Sequence, residues 1–401
     1  MKQLLAVAKN TYLQTVRQPL YGIIVLATLG GLALAPSIVG WTLEDDNKML
    51  RDIGLSTLLI QGLFLGCFAA SSVLNTEIDD KTVLTAVAKP IGRSVFLSGK
   101  FLGVCLAITT AHYLAGIAFF MVMRHGVLQS AAETFDVPVL IFGPGVALLL
   151  VIVATILNYV YDCRFLPTLL ALFLPVLTIS TILLLAISKD WKWQSYEITQ
   201  TMDNLPPEAV DGAKFNGIIE FRPLEGQRQL TGEHGLLVRK LWQGPISPKD
   251  QEYLRDLSPS IQWKKDVNFL AQSARKLQGL EDFKAGILIL LALGLLAAIA
   301  VASSTRVGML STFLICLIVL TAGLSADQML GPLAKGPSPA TWATVLYGVV
   351  PNFQCFWMVD ALSDDRVIPW GYVGQAAGYA AIYIGAALCL GMALFETREV
   401  G

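Results

Sequence analysis

Long apolar runs separated by short charged breaks fill most of the chain, from position 20 to position 395. A helix that crosses a bilayer needs about 20 mostly apolar residues. Eight stretches meet that length: 20–41, 53–74, 101–123, 137–159, 166–187, 284–303, 309–326 and 370–395. Ahead of them, residues 1–18 repeat with a helical period. Leu4, Leu5, Ala8, Tyr12 and Val16 share one face, while Lys2, Lys9, Gln14 and Arg17 lie elsewhere. That pattern predicts a helix lying in the membrane interface. Pro19 then lets the chain turn into the first span.

Two regions break the rhythm. Residues 188–283 hold 13 Lys/Arg and 14 Asp/Glu, close to half the charge of the chain, so they form a block of their own. Alternating stretches at 196–201, 215–222 and 236–242 predict short strands, with turns at Pro206, Pro207, Pro245 and Pro248. From Val267 through Leu270, Ala274 and Leu277 the spacing becomes helical and leads towards the sixth span. The second region is 340–362, where an apolar run is cut at Pro351-Asn352. Each half is too short to cross, which predicts a re-entrant or interfacial segment.

Charge sets an orientation. Lys and Arg gather in the short loops that stay inside. With the N-terminus inside, those loops hold Lys2, Lys9, Arg17, Lys81, Lys89, Arg93, Lys100, Arg164, Arg306 and Arg398. The short outside loops hold Lys48, Arg51 and Arg124 beside Glu44, Asp45, Asp46, Asp52, Glu133 and Asp136. Both termini are therefore expected in the cytoplasm, and 188–283 outside. The expected fold is an all-α polytopic membrane protein with about eight transmembrane helices and an N-terminal interfacial helix, plus a small α+β extracytoplasmic domain. Its blocks are 1–187, 188–283 and 284–401. Composition agrees: 54% of residues are hydrophobic and 15% charged, against about 25% charged in soluble domains. A net charge of −1 gives no case for a nucleic-acid partner. Met1-Lys2 opens a polar-interrupted helix, so no cleavable signal peptide is expected.

Little in the chain points to catalysis. Cys67, Cys105, Cys163, Cys316, Cys355 and Cys389 show no CxxC or Cys/His spacing, so neither a metal site nor a disulfide framework is expected. A phosphate-binding loop needs G-x-x-x-x-G-K-[ST]. The nearest stretch, Gly92 to Phe101, has the wrong spacing, and Phe101 stands where the hydroxyl belongs. There is no nucleophile elbow and no HExxH. Polar residues in or at the ends of spans are Gln61, Asn75, His112, Asn158, Asp162, Asp327 and Gln375. None is a mid-span carboxylate, so a proton-coupled carrier lacks its usual relay. His112 is expected to be packed and hydrogen-bonded. Gly30-Gly31, Gly62-x-x-x-Gly66 and Gly99-x-x-x-Gly103 allow close helix packing, within one bundle or between copies. No catalytic residue, metal or cofactor is assigned.

The most patterned charged break lies at 75–100. It holds Glu77, Asp79, Asp80, Lys81, Lys89, Arg93 and Lys100 between two apolar spans. Val83, Leu84 and Val87 have helical spacing, which stops at Lys89-Pro90 because proline pushes the preceding residue out of the helical region. Ile91-Gly92 turns the chain, Ser94 is a suitable N-cap for the next span, and Lys100 reads as a cation snorkelling from a span end.

These features resemble the membrane-spanning subunits of ABC transporters of the ABC-2 (type V exporter-like) class, nearest to the NosY/gliding-type permeases. The likeness rests on the interfacial N-terminal helix and on Glu77-Ile78-Asp79-Asp80 after the second span. Lys81-Thr82 follows where members usually show Gly-Thr, then the break at Lys89-Pro90, then Arg93 and Gly99-Lys100. Pro351-Asn352-Phe353 and the run from Phe395 to Glu399 complete it. It covers residues 1–125 and 345–400. The resemblance implies a non-enzymatic permease of a bacterial plasma (inner) membrane, paired with a second copy or a related permease. A separate cytoplasmic ATPase would dock on the turn 76–93. Glu77, Asp79, Asp80, Lys81 and Thr82 would begin that contact surface. Pro90 would fix the turn, while Arg93 and Lys100 would anchor it. A periplasmic or extracellular partner for 188–283 is a further expectation. Two rivals stand: a membrane-anchored scaffold working through 188–283, and a secondary carrier.

Overall fold

A computed structural model describes residues 2–40, 46–79, 92–127, 135–187, 191, 263–335, 340–363 and 368–396. Among these residues there is no strand, and the regular elements are helices. They are α1 (Lys2–Val16), α2 (Pro19–Val39), α3 (Asp46–Asp79), α4 (Arg93–His125), α5 (Val137–Leu140), α6 (Val146–Tyr161) and α7 (Phe165–Ala186). After these come α8 (Trp263–Ser304), α9 (Met309–Leu324), α10 (Ala326–Met329), α11 (Gly331–Lys335), α12 (Thr341–Val349), α13 (Val359–Ser363) and α14 (Trp370–Glu396). A π-helical turn at Ile141–Gly145 links α5 to α6 at Pro144, which has no N–H for a regular helical bond.

Among the described residues, seven helices are long and apolar enough to cross a membrane. The chain is an integral membrane protein. The eighth expected span is corrected: α9 has 16 residues, about 24 Å at 1.5 Å per residue, short of the ~30 Å apolar core of a bilayer. It stops because Gly323 is pressed against the Pro351 carbonyl and the Phe353 ring. The expected strands at 196–201, 215–222 and 236–242 lie outside the described residues. Within 188–283 the described part is Trp191 and the helix from Trp263, so α+β is not supported there. The helical spacing from Val267 does correspond to structure, since α8 runs unbroken into the sixth span. At 340–362 the backbone is broken as expected. Nine-residue α12 and a 3-10 turn at Gln354–Phe356 are both too short to cross.

The chain forms two compact units. The first comprises Met1–Thr181, Ala285–Val359 and Pro369–Gly401; the second comprises Ile182–Lys284 and Asp360–Ile368. In the first, α1 packs alongside the start of α4. A Cβ added at Gly99 would stand 2.7 Å from Val7 Cβ, and one at Gly103 would stand 2.5 Å from Thr11 Cβ and 2.6 Å from the Ala8 carbonyl. The missing side chains are therefore the seat of α1. Of the expected apolar face, Ala8 and Val16 are buried together with Thr11 and Thr15, while Leu5 is 61% exposed. The seat admits small residues, so the large apolar ones turn away from it. Gly62 likewise takes Leu293 of α8, whereas Gly30 and Gly31 face open space. Tyr21 of α2 donates to the Ala107 carbonyl of α4 at 3.0 Å, and the Tyr113 and Thr178 hydroxyls join α4 to α7 at 2.8 Å.

In the second unit a buried ion pair holds the backbone at Ile368. Lys284 donates to Glu281 Oε1 at 2.6 Å and to the Ile368 carbonyl at 2.9 Å, while the Ile368 N–H donates to Glu281 Oε2 at 2.8 Å. Both polar groups of Ile368 are thus satisfied by two side chains one helical turn apart.

Two stability tests follow. Gly103→Ala must displace backbone, so it should destabilise by about 1–3 kcal/mol, while Gly30→Ala should be near neutral. Thermal denaturation in detergent measures both. Lys284→Met would leave Glu281 buried and unpaired, which costs about 3–5 kcal/mol. Adding Glu281→Gln in the same chain should recover part of that loss, because the amide still accepts from the Ile368 N–H.

Candidate functional site

The end of the bundle where α1 sits on α4 is also where α3 ends and α4 begins. Three further pieces of chain meet there. The last turn of α14 packs on the first turns of α4: the Phe395 and Phe96 rings stack at 6.0 Å, and Gly391 lies against Ala302 and Leu97. A helix leaves its last four carbonyls without intrahelical partners. Here two arginines serve them. Arg93 Nη1 donates to the Glu396 carbonyl at 3.0 Å, and Arg306 Nε donates to the Leu394 carbonyl at 2.9 Å. Cations at this end also oppose the negative end of the helix dipole. The Arg93 guanidinium lies 6.0 Å from the Phe395 ring centre. Gln18 ties the start of α2 to Ser72 of α3 at 2.5 Å.

The expected site residues fall around this junction. Glu77 and Asp79 are in the last turns of α3. Asp80, Lys81, Thr82 and Pro90, with the rest of the turn between α3 and α4, lie outside the described residues. Arg93 opens α4 and is engaged as above. Lys100 corrects its expectation. It is 3% exposed, with Nζ 5.3 Å from the Phe96 ring centre, so it is enclosed by the bundle and does not snorkel. The cause is α1, which covers α4 at Gly99 and Gly103 on either side of it.

At the opposite end of the same unit, a polar cluster holds the broken backbone between α9 and α14. Tyr347 donates to Asp327 Oδ1 at 2.5 Å, Asn352 Nδ2 donates to Oδ2 at 2.7 Å, and Lys335 donates to the Tyr347 hydroxyl at 2.8 Å. The Asn352 side chain also accepts from the Gln354 N–H, and its own N–H donates to Tyr379 of α14 at 2.8 Å. Tyr347 and Asn352 hold the Asp327 carboxyl below its ordinary value, with Lys335 adding to the effect. The Tyr347 hydroxyl, more than any other group, raises Lys335. The sequence marked Asp327 and the break at Pro351-Asn352 separately. Their pairing depends on Tyr347, whose place in an apolar run gives no such signal.

His112 packs inside the bundle with Nε2 3.0 Å from the Gly286 carbonyl. All six cysteines are free. Among the described residues no group of three or more His, Cys, Asp or Glu is placed to hold a metal ion. Compared with family models, with curated proteins and with solved structures, the chain gives no match.

The Asp327 cluster predicts a pH dependence. A folded pKa below the unfolded one gives stability that is complete above the unfolded value, near 3.9. That stability is lost as pH falls through the folded value. Melting of wild type against Asp327→Asn should show a gap at neutral pH that closes below about pH 4. Because the carboxylate is 42% exposed, the gap should be about 1 kcal/mol or less.

Proposed function

We propose that the chain is the membrane-spanning permease subunit of an ABC transporter complex, working as an exporter. It would sit in a bacterial plasma membrane with both termini in the cytoplasm. A separate cytoplasmic ATPase would dock on the turn 76–93, and a second copy or a related permease would complete the pathway. Hydrolysis belongs to the partner.

One observation supports this reading above the others. The residue that leaves the turn, Arg93, is bonded to the last carbonyl of α14 and lies over its Phe395 ring. The helix it opens is covered by α1 two turns later. A push on the turn therefore reaches three elements of one bundle at once. Without such links, a solvated loop would absorb the push. The cations of this end, Lys2, Lys9, Arg17, Arg93 and Arg306, agree with a cytoplasmic placement. Nucleotide binding can drive such an element only through different affinities for its two positions. The acidic start, Glu77, Asp79 and Asp80, is the charge that a basic groove on the ATPase would receive.

Copurification tests the reading. A soluble P-loop ATPase should be captured by the tagged wild-type chain. It should be lost with Asp80→Arg combined with Lys81→Glu, a reversal that leaves Arg93 in place and should not alter the melting temperature. Equal capture by both chains would sink the docking role. Transport driven by an ion gradient without ATP would favour a carrier instead.

A further inference from the structure

Two polar side chains in the middle of the bundle belong to neither of the ends described above. Gln61 lies at the centre of the apolar stretch Lys48–Leu74 of α3 and is 3% exposed. Neither its amide nitrogen nor its amide oxygen has a hydrogen-bond partner among the described residues. His112 of α4 is 8% exposed. Its Nε2 faces the Gly286 carbonyl at 3.0 Å. A carbonyl only accepts, so Nε2 carries the proton and Nδ1 is a bare acceptor. Nδ1 also has no partner among the described residues.

Helix register brings the two together. Helices α3 and α4 run antiparallel, with Gly54 against Phe119 and Gly66 against Ile108. Seven residues are two helical turns, so a step of seven along each helix stays on the same stripe, within about 20°. One such step from Gly54 and Phe119 leads to Gln61 and His112. There is room beside the imidazole: a Cβ added at Gly286 would have one neighbour within 4 Å, His112 Nε2 at 3.9 Å.

In lipid no bulk water can satisfy such groups, and buried polar atoms in native proteins are paired with protein or with ordered water. We propose that Gln61 and His112 together hold an internal water molecule between α3 and α4 at mid-membrane depth. The water donates one hydrogen to His112 Nδ1 and the other to Gln61 Oε1, and accepts from Gln61 Nε2. That gives it three bonds, the usual complement of a buried water. The two helices are the pair joined by residues 80–92, so any sliding of one against the other would change this site. The site does not depend on an ATPase docking at the turn.

The chain has three histidines, so a spectrum of the full-length protein labelled with 15N-histidine, in phosphatidylcholine vesicles, contains three imidazoles. His125→Gln and His234→Gln identify the resonances of His112 by elimination. Solid-state NMR with polarisation transferred from water should reach His112 Nδ1 in the wild type. In Gln61→Leu the transfer should fall several-fold and the Nδ1 shift should move. The proposal is overturned if Nδ1 receives no water polarisation in the wild type. It is equally overturned by a direct bond from the Gln61 amide to Nδ1, or by transfer that Gln61→Leu leaves unchanged. The wild-type spectrum decides the matter even if the leucine variant does not fold.

Discussion

The close approach of α1 to α4 underlies one whole end of this protein. Two missing side chains, at Gly99 and Gly103, let a fifteen-residue helix lie against a membrane span at backbone distance. In lipid there is little hydrophobic drive to bring helices together, so packing of small residues has to supply it. That seat encloses Lys100, fixes the first turns of α4, and so holds Arg93 where it can reach the end of α14. Filling either glycine would disturb all three.

Much of the membrane plan was legible in the sequence. The apolar runs gave seven of the crossing helices, because length and composition alone decide whether a segment can span. They overstated α9, since its end is set by Phe353 and Pro351 packing on Gly323, a contact between residues some thirty positions apart. The N-terminal helix was legible as a helix, and Ala8 and Val16 of its apolar face are buried, but its seat on α4 was not legible. Periodicity ranks residues by hydrophobicity, and here the inward side is chosen by size, with Thr11 and Thr15 preferred to Leu5. Lys100 was misread for the same reason: nothing in its own neighbourhood says that another helix lies over it. The charged turn was legible as a pattern, and the partners of Arg93 were not, because they are a backbone carbonyl and a ring three hundred residues away.

A second constraint shapes the far end and the second unit. Backbone that is not helical must find partners where water is scarce. Around Pro351 those partners are Asn352, Tyr379 and the Gly323 carbonyl, which accepts from the Phe353 N–H at 3.2 Å. At Ile368 they are Lys284 and Glu281. In each place polar side chains satisfy backbone groups that no helix pairs. The irregular pieces are therefore as determined as the helices.

The bond between Arg93 and the Glu396 carbonyl spans 303 positions. A chain made from its N-terminus inserts α4 long before α14 exists. Until the last helix arrives, Arg93 and Arg306 face an incomplete end of the bundle. Contacts of such wide separation form late and slowly. Assembly of this end therefore waits for α14 to be made, and Arg93 gains its carbonyl partner only after that helix has left the ribosome.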